Sequence, residues 1–502
     1  MGTELKEDSQ RSSYRGIFKA TSLFGGVQVY QILIEIIKSK FIAVLLGPLG
    51  VGIQGLYTSG IQMIQQISSL GLSSSAVRNI AEANGSGEVK AINKTVTALR
   101  RLVWVTGIIG MVAVIAFSSI LSELSFGDHL HVWGFIALSI TLLLTQISAG
   151  QKVILQGTRK YKHLAKCSTY GVTLGLFISI PLYYLWGIKA IVPNLIINSL
   201  TLLLLSWHYS RKVKIEPVKM SFKETFNIGK GMLTMGVAMC ISQFLSTASA
   251  FALRSCIRMW GSVDEVGLYT AGFLLMTQYT GLVFSAMATD FYPRLAAVNT
   301  DNEKCRLIMN QQGEIGLLLI APLLVLCIVY IPVVVVILYS DKFLAVDSYI
   351  VWCSVGMAFK MVSWAISYVF IAKAESRLFM YNEIAVGVYT LLLSLLGYKL
   401  AGLQGLGIAF MLSYILYVLQ VYTIAHQKYS FTFSSALIKI FLVQLSLICI
   451  SLLFVFTLPS LFKYIVGTVV FIASLSYSIY ELNKRLDLTS FINKKLLKKD
   501  GK

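Results

Sequence analysis

Residues Ser39–Asn84 read SKFIAVLLGPLGVGIQGLYTSGIQMIQQISSLGLSSSAVRNIAEAN, two apolar arms joined at Gly47-Pro48-Leu49-Gly50-Val51-Gly52. Proline removes a backbone donor and restricts the residue before it, so this stretch ends one helix and starts another. The first arm carries Glu35, Lys38 and Lys40 inside apolar sequence, and the second is flecked with Gln62, Gln65 and Gln66 before a basic exit at Arg78. Phe251–Asn299, FALRSCIRMWGSVDEVGLYTAGFLLMTQYTGLVFSAMATDFYPRLAAVN, has a similar design: Arg254 and Arg258 precede a turn, and GLYTSG at Gly55–Gly60 returns as GLYTAG at Gly267–Gly272. Two registers relate the stretches. One lays GLYTSG on GLYTAG and also matches Gln66, Leu70, Ser73 and Ala76; the other places Val51-Gly52 on Val266-Gly267 and pairs Ala81 with Ala296 and Asn84 with Asn299. Both predict the first helical hairpins of two equivalent halves.

With 56% hydrophobic and 13% charged residues, the chain has about half the charge of an average soluble protein. It reads as a polytopic membrane protein. Crossing ~30 Å of hydrocarbon takes ~20 helical residues, and fourteen apolar stretches are long enough: 17–46, 52–77, 102–121, 132–155, 166–186, 189–208, 229–259, 266–290, 315–339, 348–372, 378–400, 404–425, 436–457 and 461–481. The expected organisation is a cytoplasmic segment over 1–16, an N-lobe of six helices over 17–208, a basic linker over 209–228 and a C-lobe of six helices over 229–425. An additional helix pair over 436–481 and a basic tail over 482–502 complete it.

The net charge of +20 would suggest nucleic acid on a soluble surface, so its placement decides its meaning. With the N-terminus inside, only Lys189, Lys342, Lys399 and Lys463 fall in outer loops, and Lys38, Lys40, Arg254, Arg258 and Lys360 lie in spans; every other Lys and Arg is on the inner side. That asymmetry is the positive-inside pattern of a multi-pass protein with both termini cytoplasmic. It assigns the charge to topology and anionic lipid, with no nucleic-acid partner. Six spans per half is an even number, so the halves are parallel repeats about an axis along the membrane normal. The seven cysteines are scattered without a CxxC pair, which predicts buried thiols and no metal site. His129 and His131 lack a third ligand. No triad, acid/base carboxylate pair or nucleotide loop stands out, and the chain reads as a transporter, not an enzyme.

The cation-bearing first helix, the LGPxGxG turn at Leu46–Gly52, the Gln-rich second helix and the RNIAEAN exit resemble the multidrug/oligosaccharidyl-lipid/polysaccharide (MOP) exporter superfamily. Within it, the chain is most similar to bacterial O-antigen and enterobacterial-common-antigen flippases. The resemblance implies two six-helix lobes forming a V around a central cavity, with the C-terminal pair added. It also implies translocation of an undecaprenyl-pyrophosphate-linked oligosaccharide across the bacterial inner membrane by alternating access. Membrane lipids and the polysaccharide polymerase machinery are the implied partners, with no cofactor beyond coupling to a proton or sodium gradient. A cation-coupled multidrug exporter is the rival reading, although the surplus of buried basic charge speaks against it. A polysaccharide polymerase or ligase would need an outer catalytic domain.

A charge inside a membrane helix costs about 2.5–3.5 kcal/mol on insertion scales, so each one needs a reason. Lys360 lies mid-span; Arg254 and Arg258 are one turn apart toward the outer end of theirs; Lys40 falls within a turn of Arg254's counterpart, and Lys38 precedes it. These five are the candidates for a cationic cavity that accepts pyrophosphate, against the alternative of snorkelling to headgroups. Gln62, Gln65 and Gln66 are candidates for sugar contacts or for interhelical bonds. Glu35, Asp290, Glu314 and Glu383 are candidates for ion coupling or gating, with Glu35 also placed to pair with Lys38 at i+3.

Overall fold

The computed structural model describes residues 2–86 and 88–486, with side chains from Gly26 onward except at scattered positions. The expected tail beyond Leu486 and the side chains of the segment over 1–16 lie outside the described residues. The described chain is helical throughout. It comprises α1 Gly2–Ser68, α2 Leu72–Gly85, α3 Val89–Phe126, α4 Val132–Gly157, α5 Tyr161–Trp186, α6 Ile191–Ser210, α7 Phe222–Trp260, α8 Val263–Ala297, α9 Asn302–Leu338, α10 Asp347–Ala372, α11 Ser376–Tyr429, α12 Ser435–Thr457 and α13 Ser460–Leu486.

Two of these helices are broken. Gly47 (φ 65°, ψ −173°) interrupts α1 immediately before Pro48. Ala401 and Gly402 (φ 55°) interrupt α11, and Gly397 and Gly405 then meet so closely that a Cβ on either would strike the other's carbonyl. The α1 break is a reversal too. Before it, Tyr30 and Lys38 ascend α5, beside Thr173 and Gly175; after it, Tyr57, Gln65 and Ile80 descend α4, beside Gly134, Thr145 and Gly157. Counting each arm separately, every one of the fourteen expected spans is found as helix.

One span differs in detail. The stretch 52–77 is not continuous: α1 ends at Ser68, Leu70 and Gly71 take left-handed φ of 48° and 64°, and α2 starts at Leu72. The cause is a close backbone approach, since a Cβ on Gly71 would lie 2.3 Å from the Gly236 carbonyl oxygen on α7.

Eight described helical segments are long and apolar enough to cross a membrane by length and composition, and the chain is a multi-pass membrane protein. It forms two compact units. The first runs to Gly267 and includes Leu338–Ser340; the second comprises Leu268–Ile337 and the chain from Asp341. In the first, Leu72, Ile80, Leu99, Val103, Ile154 and Met232 knit α2, α3, α4 and α7 into one apolar cluster. The segment expected as a linker lies along α3: Arg101 donates to the Met220 carbonyl (2.6 Å), and Asn93 and Thr97 accept from the Glu216 and Val218 amides. Ser221 and Glu224 then form a capping box that starts α7. In the second unit α10 is enclosed on most sides, with Met357, Met361 and Phe370 fully buried. The seven thiols are free; four are buried as expected, whereas Cys256 and Cys327 are half-buried and Cys449, on α12, is exposed.

Candidate substrate-binding residues

Lys360 projects from α10 into a ring of aromatic side chains. Its Nζ lies 5.2 Å from the centroid of Tyr414, 5.7 Å from Phe284 and 5.9 Å from Phe410. Trp364, one turn along α10, packs edge-on against Phe284 at 5.3 Å and fixes that wall. Ring faces attract a cation by about 0.5–2 kcal/mol each, which offsets part of the cost of holding an ammonium in an apolar span. They leave its three N–H donors unused. No carboxylate or hydrogen-bond acceptor pairs with Lys360 among the described residues. The arrangement suits reception of an anion.

Behind Tyr414 sits a second polar group. Tyr414 and Tyr417 are 6.3 Å apart; the Tyr417 hydroxyl donates to Glu383 Oε1 (3.3 Å) and accepts from Asn382 Nδ2 (3.1 Å). Gln420 donates to Asn382 in turn. The Tyr389 hydroxyl is buried without a partner, and Tyr414 and Glu383 are the groups that act on it electrostatically. An orphaned buried hydroxyl is a group that a polar ligand would satisfy.

The first unit holds an analogous arrangement around Lys38. Gly175 on α5 has no side chain, and the space a Cβ would need is taken by Asn198 Oδ1 at 2.9 Å and Lys38 Nζ at 4.0 Å. Asn198 donates to Asn194 Oδ1 (2.9 Å) and Ser179 Oγ (3.3 Å); Asn194 donates to the Tyr183 hydroxyl (2.7 Å), which donates to Gln54 Oε1 (3.3 Å). This chain of buried and half-buried amides and hydroxyls joins α1, α5 and α6. Sequence reasoning passed over it, although Asn194 and Asn198, one turn apart in an apolar span, were a visible signal.

The remaining candidates have other surroundings. Glu35 forms no ion pair with Lys38; its carbonyl accepts from Ser39. Lys40 is half-buried on the same arm. Arg254 donates to the Ala250 carbonyl of its own helix (3.2 Å). Arg258 rests on Gly127, where a Cβ would come 1.7 Å from Nη2, so the guanidinium covers the turn between α3 and α4. In that turn His131 stacks on Phe126 at 3.8 Å and pairs with Asp128 at 2.9 Å. Gln65 bonds Thr145 (3.2 Å) and Gln66 bonds Cys240 (3.7 Å), both between helices, while Gln62 is exposed. Asp290 pairs with Arg294 at the surface (2.9 Å). Glu314 is buried; it accepts from Ser434 Oγ (2.9 Å) and Arg485 Nε (2.9 Å), and Arg485 also pairs with Glu481.

This helical order is that of the MOP superfamily. A family model described as "Polysaccharide biosynthesis protein" matches residues 41–348, more than half of the chain, and the chain belongs to that family, within the MOP superfamily. No curated protein matches. Among solved structures, it is similar to the lipid II flippase MurJ in an inward closed conformation (13% identity, TM-score 0.69, covering 93% of this chain and 99% of that one). It is also similar to an inward-facing multidrug-resistance MATE family transporter (16%, TM-score 0.65, 82% and 96%). A third is a MOP superfamily transporter from Pyrococcus furiosus described as having a binding pocket of reverse polarity (14%, TM-score 0.56, 82% and 96%). At these identities the likenesses establish the fold.

Proposed function

We propose that this protein is a flippase that moves an undecaprenyl-pyrophosphate-linked oligosaccharide, an O-antigen or related repeat unit, from the cytoplasmic to the outer leaflet of the bacterial inner membrane by alternating access. The observation that carries the reading is Lys360, an aromatic-ringed ammonium with no anionic partner among the described residues. Lys38, beside the Asn194–Asn198 network, offers a second cation with neutral donors suited to sugar hydroxyls. Membership of a polysaccharide biosynthesis family supports a glycan-bearing substrate, and the similar fold of a lipid II flippase supports a lipid-linked one.

Electrically the direction is downhill. Moving a diphosphate dianion outward against an inside-negative potential releases ~4.6 kcal/mol per ~100 mV, at ~2.3 kcal/mol per charge. Of the four candidate carboxylates, Glu383 combines partial burial with neutral hydrogen-bond donors. It is the one we assign to coupling with a proton or sodium gradient.

The test is a proteoliposome assay of lipid-linked oligosaccharide accessibility in the outer leaflet, comparing the parent with Lys360→Ala and Lys38→Ala. Each variant should slow translocation at least tenfold while melting normally. Translocation at the parental rate in both would remove the cationic-site reading.

A further inference from the structure

The first unit contains a cavity of about 330 Å³ away from Lys38, lined by Arg100 and Trp104 on α3, Gln151 on α4, and Trp207 and Arg211 at the end of α6. Two guanidiniums share it without a carboxylate. The charged group that acts on Arg100 is Arg211, a like charge. Arg100 Nε is buried with no partner, and Arg211 stacks over Trp207 at 4.1 Å. Gln151 Oε1 accepts from Ser210 (2.7 Å), and no described acceptor takes its amide N–H groups. Three sets of donors therefore converge on one space, and two of them carry positive charge that no carboxylate among the described residues pairs with.

The surroundings specify what kind of anion belongs there. Trp104 and Trp207 are 50% and 44% exposed, and half-exposed tryptophans are characteristic of the level where headgroups meet hydrocarbon. One turn further into each apolar helix, Ile108 and Leu204 are also exposed, so the cavity opens beside apolar surface. A soluble anion would make no use of that surface, whereas a lipid would place its phosphate between the guanidiniums and its chains along α3 and α6. Arginine is the side chain whose forked donors match a phosphate.

We infer that the Arg100–Arg211 cavity is a binding site for the phosphate headgroup of an anionic membrane phospholipid, separate from the substrate-binding residues. The bound lipid neutralises the paired guanidiniums and ties α3 to the end of α6.

The inference is tested on the purified full-length protein by native mass spectrometry. Titrations use phosphatidylglycerol, phosphatidylcholine and inorganic phosphate against the parent, Arg100→Gln/Arg211→Gln and the control Lys90→Gln/Lys94→Gln. The parent should retain phosphatidylglycerol in preference to phosphatidylcholine, and the arginine variant should bind it about 30-fold more weakly, the effect of two basic residues at an anionic surface. The lysine control, which removes two exposed charges of α3 outside the cavity, should bind as the parent does. Arg211→Gln alone, at an exposed position, carries the test with an expected loss of about fivefold if the double variant fails to fold. Unchanged binding in the arginine variants overturns the site. So does an equal loss in the lysine control, which would make the attraction general. Displacement of the lipid by equimolar inorganic phosphate would also overturn it, by assigning the cavity to a soluble anion.

Discussion

Gly52 and Gly267 meet through their backbones. A Cβ on Gly52 would fall 2.0 Å from the Val263 carbonyl oxygen, and one on Gly267 would fall 1.9 Å from the Pro48 carbonyl oxygen. Each glycine thus abuts the residue four positions before the other. The reciprocity pairs Gly52 with Gly267 and Pro48 with Val263, which is the second of the two registers open in the sequence. It also explains why the glycines of the GPLGVG turn matter beyond chain reversal: they let two helix starts cross without side chains between them.

Gly52→Ala and Gly267→Ala should each destabilise the protein by about 1–3 kcal/mol, the usual range for overpacking. Alanine normally gains about 1 kcal/mol over glycine in a helix, so the contact reverses the expected sign. Thermal melting in detergent reads the effect. Gly26→Ala is the reference, because nothing lies within 4 Å of its added Cβ.

Arg485 sits between two buried carboxylates, Glu314 on α9 and Glu481 on its own helix. Arg485→Met would leave both without a counter-charge and should cost about 3–5 kcal/mol. Replacing all three residues, as Glu314→Gln/Arg485→Met/Glu481→Gln, should recover most of that loss, since the desolvation of three charges disappears with them. Equal melting temperatures for the single and triple variants would contradict unpaired buried charge as the cause of the loss.

The turn between α10 and α11 is fastened by Glu375, which accepts from Lys428 Nζ (2.8 Å) and the Tyr429 hydroxyl (2.7 Å). The Lys428 hydrogen bond, then that of Tyr429, outweigh partial burial and hold the carboxyl below its usual range. A depressed carboxyl stabilises the fold fully above its ordinary value of about 4.3. The contribution is lost as pH falls through the lower folded value. Glu375→Gln should therefore destabilise by about 1 kcal/mol at pH 7. Its melting curve should converge with the parent's in acid; a gap that persists undiminished there would show that the ion pair is not the cause.

Architecture was legible because hydrocarbon thickness and backbone chemistry leave little choice: an apolar stretch of sufficient length must be helical, and Gly47-Pro48 must interrupt it. The break at Leu70–Gly71 was not, since it answers to Gly236, far along the chain. Lys360 was found by depth alone. Its aromatic surroundings were hidden because Phe284 and Tyr414 look like any other apolar residues of their spans. Position within a span also drew in Arg258, whose place over Gly127 depends on a turn that sequence cannot bring near; Glu314, taken up at the inner end of its span, has its partner Arg485 171 residues away. Charge inside a span says that a partner is required; only the fold says whether the protein already supplies it.

That distinction predicts how Lys360 and Tyr414 should behave together. If the ring of Tyr414 holds the ammonium in place, Tyr414→Phe retains the π face and should transport normally, whereas Tyr414→Leu should lose about 2- to 30-fold, matching a cation–π contribution of about 0.5–2 kcal/mol. In a Lys360→Met background the Tyr414→Leu substitution should have almost no further effect, because the charge it positions is gone. Initial rates in proteoliposomes for the four combinations give the coupling directly. Additive losses would mean that Tyr414 acts elsewhere, through the Tyr417–Glu383 pair behind it, and would move the weight of the site from the cation to the carboxylate.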